Sequence, residues 1–207
     1  MDILTPIQFK EFFENHLSDE DFNRSLNKAI SFGCKGCRGQ KRGRFDVHQC
    51  GREVSLLMQM LDPYKIESYL EVGVERAGMW LIMDSFFRAS NPSYKGSVGL
   101  DLKVVRPILE RLAPYKEAYE TIDFVQGDCF DYVPEEKFDY IFIDNNLKYD
   151  KMKKCFEQFL PHAKRFIGFH DIQDGRYGAK ILWKELKLDY DTVEFIHSGA
   201  GIGIIKL

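Results

Sequence analysis

Short apolar segments alternate with longer amphipathic segments from residue 68 onward, and this alternation restricts the fold more than any other feature. The short segments predict seven strands: Ser68–Val74, Ser97–Leu102, Thr121–Gln126, Phe138–Asp144, Arg165–His170, Thr192–His197 and Ile202–Leu207. The longer segments predict helices at Gly78–Ala89, Val104–Tyr115, Tyr149–Leu160 and Gly178–Leu186. Strands that alternate with helices pair in parallel, with helices on both faces of the sheet. The last two strands have no helix between them and should form an antiparallel hairpin at one edge. The sequence therefore predicts an α/β fold with a seven-stranded, mostly parallel sheet.

Residues 1–50 form a predicted helical extension to this α/β domain, which we place at residues 51–207. Apolar spacing predicts one helix from Thr5 to Leu17 and a second that begins near Ser18. The segment from Ser31 to Arg44 contains four glycines and five basic residues, which predicts a loop. A third helix, Arg52–Leu61, is expected to open the domain.

Cysteine and histidine residues around this loop could form a zinc site. Cys34, Cys37, His48 and Cys50 are four candidate ligands. The spacing of His48 and Cys50 does not suit a standard zinc half-site, so a loop with unligated thiols is favoured over structural Zn²⁺. The basic residues of the loop are candidates for binding an anionic group, although a solvated loop is again favoured.

Composition restricts the partners and the setting. The 207 residues suffice for one α/β domain, and a net charge of -3 argues against a nucleic-acid-binding protein. Five cysteines and no secretion-leader pattern favour a reducing, cytoplasmic setting. No apolar window approaches the roughly 18 residues of a membrane span. Aromatic residues at helical spacing are core or interface residues, which leaves a homo-oligomer open.

A glycine-bearing turn follows the first predicted strand, in the segment Y-L-E-V-G-V-E-R-A-G-M-W from Tyr69 to Trp80. Gly73 allows a tight backbone turn, and Ala77 and Gly78 keep the start of the helix small. Ligands of open parallel sheets bind beyond the carboxyl ends of the strands. Taken alone, this turn fits a ligand site and a packing feature equally well.

Two acids at the next strand ends favour the ligand site. Asp101 ends the second strand, where a carboxylate can accept hydrogen bonds from both ribose hydroxyls of an adenosine ligand. Asp128 follows the third strand, where it and the neighbouring backbone can hold an adenine edge. Each acid alone could instead cap a turn or a helix. Together with the first turn, they predict a nucleoside site.

Asp144, His170 and Asp171 should meet beside this site, because they follow the fourth and fifth strands. Two carboxylates and an imidazole can bind Mg²⁺ or Mn²⁺. The alternative is that Asp171 and His170 cap loops while Asp144 accepts a backbone hydrogen bond.

Seven segments of the chain, taken in sequence order, resemble those of class I S-adenosylmethionine (SAM) dependent methyltransferases. They are E-V-G-V-E-R-A-G, G-L-D, Q-G-D, F-I-D, G-F-H-D-I, G-A-K-I-L-W-K-E-L-K and G-I-G-I-I. Within that superfamily they are similar to the small-molecule O-methyltransferase branch, which includes metal-dependent catechol-type and macrolide-sugar-type members. The resemblance spans Glu53 to Leu207. It implies a Rossmann-like domain that methylates a small hydroxylated acceptor.

The resemblance also implies a role for each strand-end residue. The implied SAM-binding residues are Glu71, Gly73, Gly78, Asp101, Asp128, Cys129 and Asp144. Asp144 and Asp171 match metal ligands, and His170 is a third candidate. Such an ion would hold an acceptor hydroxyl and lower its pKa. N-terminal helices cover the active site in related enzymes, so we expect residues 1–50 to cover the site and select the acceptor.

One departure affects the catalytic residues. Related enzymes often continue after the fourth strand as D-G-D-H-S-Y, with the histidine as general base, whereas this chain has D-N-N-L-K-Y from Asp144 to Tyr149. Lys148 or the metal ion would have to replace that histidine, and the predicted catalytic residues are Asp144, Lys148 and His170. The missing histidine keeps open a non-catalytic SAM-binding or regulatory domain. An NAD-dependent oxidoreductase is less favoured, because it would prefer G-x-G-x-x-G at the first turn.

Overall fold

The computed structural model describes residues 11, 47, 49–104, 106–197 and 199–207. Its strands are β1 (Ser68–Val72), β2 (Gly96–Asp101), β3 (Ile122–Gln126), β4 (Phe138–Ile143), β5 (Ala163–His170), β6 (Asp191–Phe195) and β7 (Ile202–Lys206). Its helices are α1 (Gly51–Leu61), α2 (Gly78–Ser90), α3 (Arg106–Ala118), α4 (Tyr149–Phe159) and α5 (Ala179–Asp189). Short 3₁₀ turns follow α1 and α4. The predicted strands and helices from residue 52 onward are confirmed, with ends displaced by up to three residues.

The seven strands form one sheet in the order β3-β2-β1-β4-β5-β7-β6. The first five strands in this order pair in parallel. The strand β7 lies antiparallel between β5 and β6, which confirms the predicted hairpin at one edge. The chain runs outward from β1 to β3 and then returns to β4 on the other side of β1. This reversal places the expected ligand crevice of an open α/β sheet between β1 and β4.

Each face of the sheet carries its own apolar core. Neighbouring residues of a strand point to opposite faces, so Tyr69 of β1 packs in one core and Leu70 in the other. The first core lies under α1, α2 and α3, and the second lies under α4 and α5. The predicted arrangement, with helices on both faces, is therefore confirmed.

A tryptophan packs against a strand glycine in each core. A Cβ atom on Gly99 of β2 would lie 2.7 Å from the ring of Trp80 on α2, and one on Gly203 of β7 would lie 2.6 Å from the ring of Trp183 on α5. The Trp80 indole donates to Ser97 Oγ at 2.9 Å. The two glycines thus let one helix on each face approach the sheet closely.

The predicted extension lies mostly outside the described residues. Apart from Glu11, which is helical as predicted, the part that is not described contains the helices predicted from Thr5 and Ser18, the loop from Ser31 to Arg44, and the candidate zinc ligands Cys34, Cys37 and His48. The fourth candidate, Cys50, is buried, and its Sγ lies 3.8 Å from His197 Nδ1. The boundary at residue 50 stays a prediction. Among the described residues, no helix combines the length and apolarity that a membrane crossing requires.

Candidate active site

The predicted site residues lie along one edge of the sheet. Glu71 is in β1, Asp101 ends β2, Asp128 follows β3, and Asp144 directly follows β4. These four strands are neighbours and run parallel, so their carboxyl ends meet at the same edge. His170, the last residue of β5, extends the row by one strand. The acids therefore lie on one margin of the sheet, as the proposed nucleoside site requires.

The first turn permits only glycine at position 73. Gly73 has φ +94°, and its N–H donates to the Leu100 carbonyl at 2.8 Å. A Cβ atom there would lie 2.4 Å from the backbone oxygen of Asp144. Ala77 also has a left-handed conformation, with φ +65°, and α2 begins at Gly78 directly after it. The turn after β1 therefore packs against the backbone that leaves β4.

Glu71 is buried within the sheet below this turn. The Tyr69 hydroxyl donates a hydrogen bond to Glu71 Oε2. Burial raises the pKa of the Glu71 carboxyl well above its usual value, and the negative charges of Asp144 and Asp101 raise it further, against the effect of the Tyr69 hydrogen bond. A desolvated carboxyl of this kind is stabilised by hydrogen-bond donors, which a bound amino group can also supply.

Asp101 and Asp128 accept hydrogen bonds from nearby backbone. Asp101 accepts from the N–H of Glu75 at 2.8 Å and from that of Lys103 at 3.0 Å, so it joins the turns that follow β1 and β2. Asp128 accepts from the Phe130 N–H at 3.0 Å. A carboxylate oxygen offers about two acceptor positions, so these contacts leave capacity for a ribose or adenine donor. The alternative of a cap on α3 does not fit Asp101, because α3 begins five residues later at Arg106.

The loop that contains Cys129 is held by α4. Gln158 of α4 donates to the carbonyl oxygens of Cys129 at 2.6 Å and of Tyr132 at 2.8 Å. The Asn145 amide lies 3.3 Å from Cys155 Sγ and 3.8 Å from Cys129 Sγ. Cys155 also hydrogen-bonds Cys129 and lowers the pKa of its thiol. Sequence reasoning missed Gln158, because one amide on a helix carries no signal of such a contact.

Asp144, His170 and Asp171 form the cluster that was predicted beside the nucleoside site. The Nδ1 atom of His170 lies 3.2 Å from Asp144 Oδ1 and 3.4 Å from Asp171 Oδ1. One ligand atom from each residue fits within a 4.8 Å span. Asp171 has φ +62°, an uncommon backbone conformation for a residue other than glycine. Such strain is found at functional sites more often than elsewhere.

The charges around His170 favour a cation in this cluster. Burial lowers the pKa of His170, but the carboxylates of Asp144, Asp171 and Glu53 outweigh this effect and raise the pKa to about 9. The Nε2 atom of His170 is buried and has no hydrogen-bond partner. Carboxylate oxygens suit Mg²⁺ and Mn²⁺, whereas imidazole nitrogen suits transition-metal ions. The donor set therefore fits Mn²⁺ better than Mg²⁺.

Two residues at the start of α1 approach the cluster, and sequence reasoning identified neither. The Gln49 amide donates to Asp144 Oδ2, and the Gln49 side chain is buried. Glu53 is also buried, and its Oε1 accepts the N–H groups of His197 at 2.8 Å and Gly199 at 3.1 Å. Glu53 thereby joins α1 to the turn between β6 and β7. Both contacts join residues far apart in the chain, so local pattern could not reveal them.

Lys148 lies at the edge of the site. Its side chain is exposed, and its ammonium donates to the Arg176 carbonyl at 3.1 Å. This contact connects the start of α4 to the loop before α5. It does not bring the ammonium into the carboxylate–imidazole cluster. The predicted catalytic role of Lys148 stays a prediction.

Comparisons with known proteins identify the fold. No protein-family model and no curated protein sequence matches the chain. Similar solved structures include the SAH-bound methyltransferase PaMTH1 of Podospora anserina, with 14% identity, a TM-score of 0.59 and coverage of 97% of this chain and 86% of that one. The O-methyltransferase TomG of Streptomyces achromogenes, solved with SAM, has 15% identity, a TM-score of 0.56 and coverage of 96% and 95%. The N-methyltransferase NodS of Bradyrhizobium japonicum, solved with SAH, has 14% identity, a TM-score of 0.55 and coverage of 96% of both chains. The chain thus has the Rossmann-like fold of class I SAM-dependent methyltransferases.

Proposed function

We propose that the chain is a SAM-dependent methyltransferase that methylates a small hydroxylated molecule with the help of a divalent ion. One observation carries the proposal most directly. The acids in β1, at the end of β2 and just after β3 lie with the Gly73 turn along one edge of a sheet, and solved structures with a similar fold contain SAM or SAH. The geometry of the edge, rather than any single motif, supports the function.

The edge of β1 to β3 is the proposed SAM-binding half. Asp101 would accept the ribose hydroxyls, and Asp128 with the backbone at Cys129 would face the adenine. Gly73 and Gly78 would allow the cofactor to approach the turn, and Glu71 would lie beneath it. SAM carries an already activated methyl group, so the main task of these residues is to hold the methyl carbon in line with the acceptor oxygen.

The cluster of Asp144, His170 and Asp171 is the proposed acceptor half. When bound there, a divalent ion would hold the acceptor hydroxyl and lower its pKa. The chain's own residues form the site: His170 Nδ1 lies 3.2 Å from Asp144 Oδ1 and 3.4 Å from Asp171 Oδ1, so these three side chains would hold the ion together. Lys148 is the remaining candidate for proton transfer.

A non-catalytic SAM-binding domain is the second candidate. The observation that favours it concerns Lys148, the residue expected to replace the general base. Its ammonium donates a hydrogen bond to the Arg176 carbonyl. An NAD-dependent oxidoreductase has less support, because the turn after β1 has Glu75 in place of the second glycine of the dinucleotide pattern. The cytoplasmic setting and the homo-oligomer both stay predictions.

Ligand titration followed by a transfer assay tests the proposal. Calorimetric titration should give saturable binding of SAM and SAH and none of NAD. The protein should then transfer label from methyl-labelled SAM to members of a panel of small catechols and sugar alcohols, in the presence of Mn²⁺ or Mg²⁺ and not of a chelator. If the protein binds NAD and neither SAM nor SAH, the proposal of a SAM-dependent methyltransferase is refuted. Binding of SAM without transfer to any acceptor would favour the non-catalytic domain.

A further inference from the structure

Gln49 meets the proposed metal cluster from the segment just before α1. Its side chain amide donates to Asp144 Oδ2, while the other oxygen of Asp144 faces His170 Nδ1 at 3.2 Å. Gln49 as a whole residue is 8% exposed, so its amide has little access to solvent. A buried amide must find its hydrogen-bond partners within the protein, and the partner of the Gln49 amide is Asp144, a metal-ligand candidate.

Val47 and Cys50, the described residues nearest to Gln49 before α1, lie in the protein interior. The Cys50 carbonyl accepts the first helical hydrogen bond of α1, from the Val54 N–H at 3.0 Å. Gln49 therefore has little freedom to withdraw from Asp144. If an ion binds beside Asp144, Gln49 must adjust mainly by rotation about its side-chain bonds.

A cation held by His170, Asp171 and the Oδ2 atom of Asp144, which now accepts the Gln49 hydrogen bond, would lie close to this amide. The N–H group that now donates to Asp144 would point its partial positive charge toward the cation. Half a turn about the last side chain bond exchanges the amide nitrogen with the amide oxygen and puts an acceptor in the same place. Amide oxygens are common ligands of divalent ions that also bind carboxylates.

We propose that Gln49 Oε1 is a fourth protein ligand of a divalent cation held by Asp144, His170 and Asp171. The inference deepens the proposed function and rests on its metal site. Two carboxylates balance the charge of the ion, and the neutral amide adds a ligand without adding charge. The ion thereby connects the cluster to the segment that enters α1, which continues from the residues expected to select the acceptor.

The test is a Mn²⁺ titration that needs no turnover. Free Mn²⁺ is measured by electron paramagnetic resonance in the presence of saturating SAH, for the wild type and for Gln49→Ala, Gln49→Glu and Gln59→Ala. Gln59 is exposed on α1 and is a matched control for the loss of a glutamine side chain. We expect Gln49→Ala to weaken Mn²⁺ binding by at least about tenfold, the scale seen for groups that support a metal site. Gln49→Glu, which keeps an oxygen ligand, should bind Mn²⁺ more tightly than Gln49→Ala, and Gln59→Ala should bind it as the wild type does.

Other outcomes of the Mn²⁺ titration would contradict the role of Gln49 or the metal site. If Gln49 only donates a hydrogen bond that competes with the ion, Gln49→Ala will bind Mn²⁺ as tightly as the wild type or more tightly, and the proposal is overturned. Equal weakening in Gln49→Ala and Gln49→Glu also overturns it. Wild-type protein that binds SAH and not Mn²⁺ removes the metal site and this ligand, and leaves SAM binding in place. Protein that binds Mn²⁺ and not SAH removes the methyltransferase function and leaves the ligand assignment in place.

Discussion

The two proposed halves of the site are built from different contacts. In the SAM-binding half, Asp101 and Asp128 accept hydrogen bonds from backbone N–H groups of the strand-end turns. In the acceptor half, Asp144 is held by the side chains of His170 and Gln49, which lie 26 and 95 positions away in the chain. A backbone N–H is present whatever the side chain, whereas the acceptor half depends on the residue type at each position. The acceptor half should therefore respond more strongly to substitution.

The largest effect is expected for Asp144→Asn, which removes a charge from the acceptor half and keeps the shape of the side chain. Turnover should fall by about 1,000-fold or more, because charge stabilisation at a metal site supplies several kcal/mol. SAH affinity, measured by calorimetry, should change little. Asp189→Asn at the exposed end of α5 is the matched control and should keep full turnover. Unchanged turnover in both Asp144→Asn and Asp171→Asn would remove the metal site from the proposal.

The next largest effect is expected for a substitution of Gly73, whose turn packs against the backbone at Asp144 and so joins the two proposed halves. Gly73→Ala places a side chain in a left-handed conformation and against the Asp144 carbonyl, so it should lower the free energy of unfolding by about 2–5 kcal/mol. Equilibrium denaturation in urea measures this loss. The control is Gly175→Ala, where a Cβ atom meets nothing within 4 Å and stability should be kept. Equal stability of the two variants would contradict the tight contact between the halves.

A smaller effect is expected within the SAM-binding half. Asp101→Ala should weaken SAM binding by about 1.5–3 kcal/mol, the scale of hydrogen bonds to a charged group. Asp123→Ala is the control, because Asp123 is exposed on β3 and pairs with Lys116 at 3.1 Å on the surface. Calorimetry with SAM compares the two. Wild-type affinity in Asp101→Ala would mean that the ribose binds elsewhere.

The smallest effect is expected for Lys148→Ala. Its ammonium is exposed and bound to the Arg176 carbonyl, so turnover should fall by less than about fivefold, whereas loss of a general base costs about 10²–10⁴. Steady-state rates with saturating SAM and acceptor measure the change. A loss of 100-fold or more would instead support the predicted role of Lys148 in proton transfer.

Local pattern was sufficient for the fold and for the placement of Glu71, Asp101 and Asp128 along one edge of the sheet. Alternating apolar segments predicted each described strand and helix, and the errors lie at their ends. The strand β1 stops at Val72 because Gly73 turns away with a positive φ, and α3 starts at Arg106 because Asp101 first holds the Lys103 N–H in a turn. These ends depend on contacts between neighbouring turns, which apolar spacing does not encode.

Long-range contacts account for what the sequence did not predict. The positions of Asp144, His170 and Asp171 followed from strand order, because strand ends meet at one edge. The approach of Gln49 and Glu53 depends on how α1 docks beside β7, and no periodicity in the chain specifies that docking. The contact between Lys148 and Arg176 likewise joins two loops whose conformations are set by packing.

The pairing of one tryptophan with one strand glycine on each face has a spectroscopic consequence. The chain has two tryptophans, Trp80 in the core under α2 and Trp183 in the core under α5, so each layer carries its own fluorophore. Replacement of either indole by phenylalanine leaves a single emitter that reports on one layer. Intrinsic fluorescence during denaturation will then reveal whether the two faces of the sheet lose their packing together or in sequence.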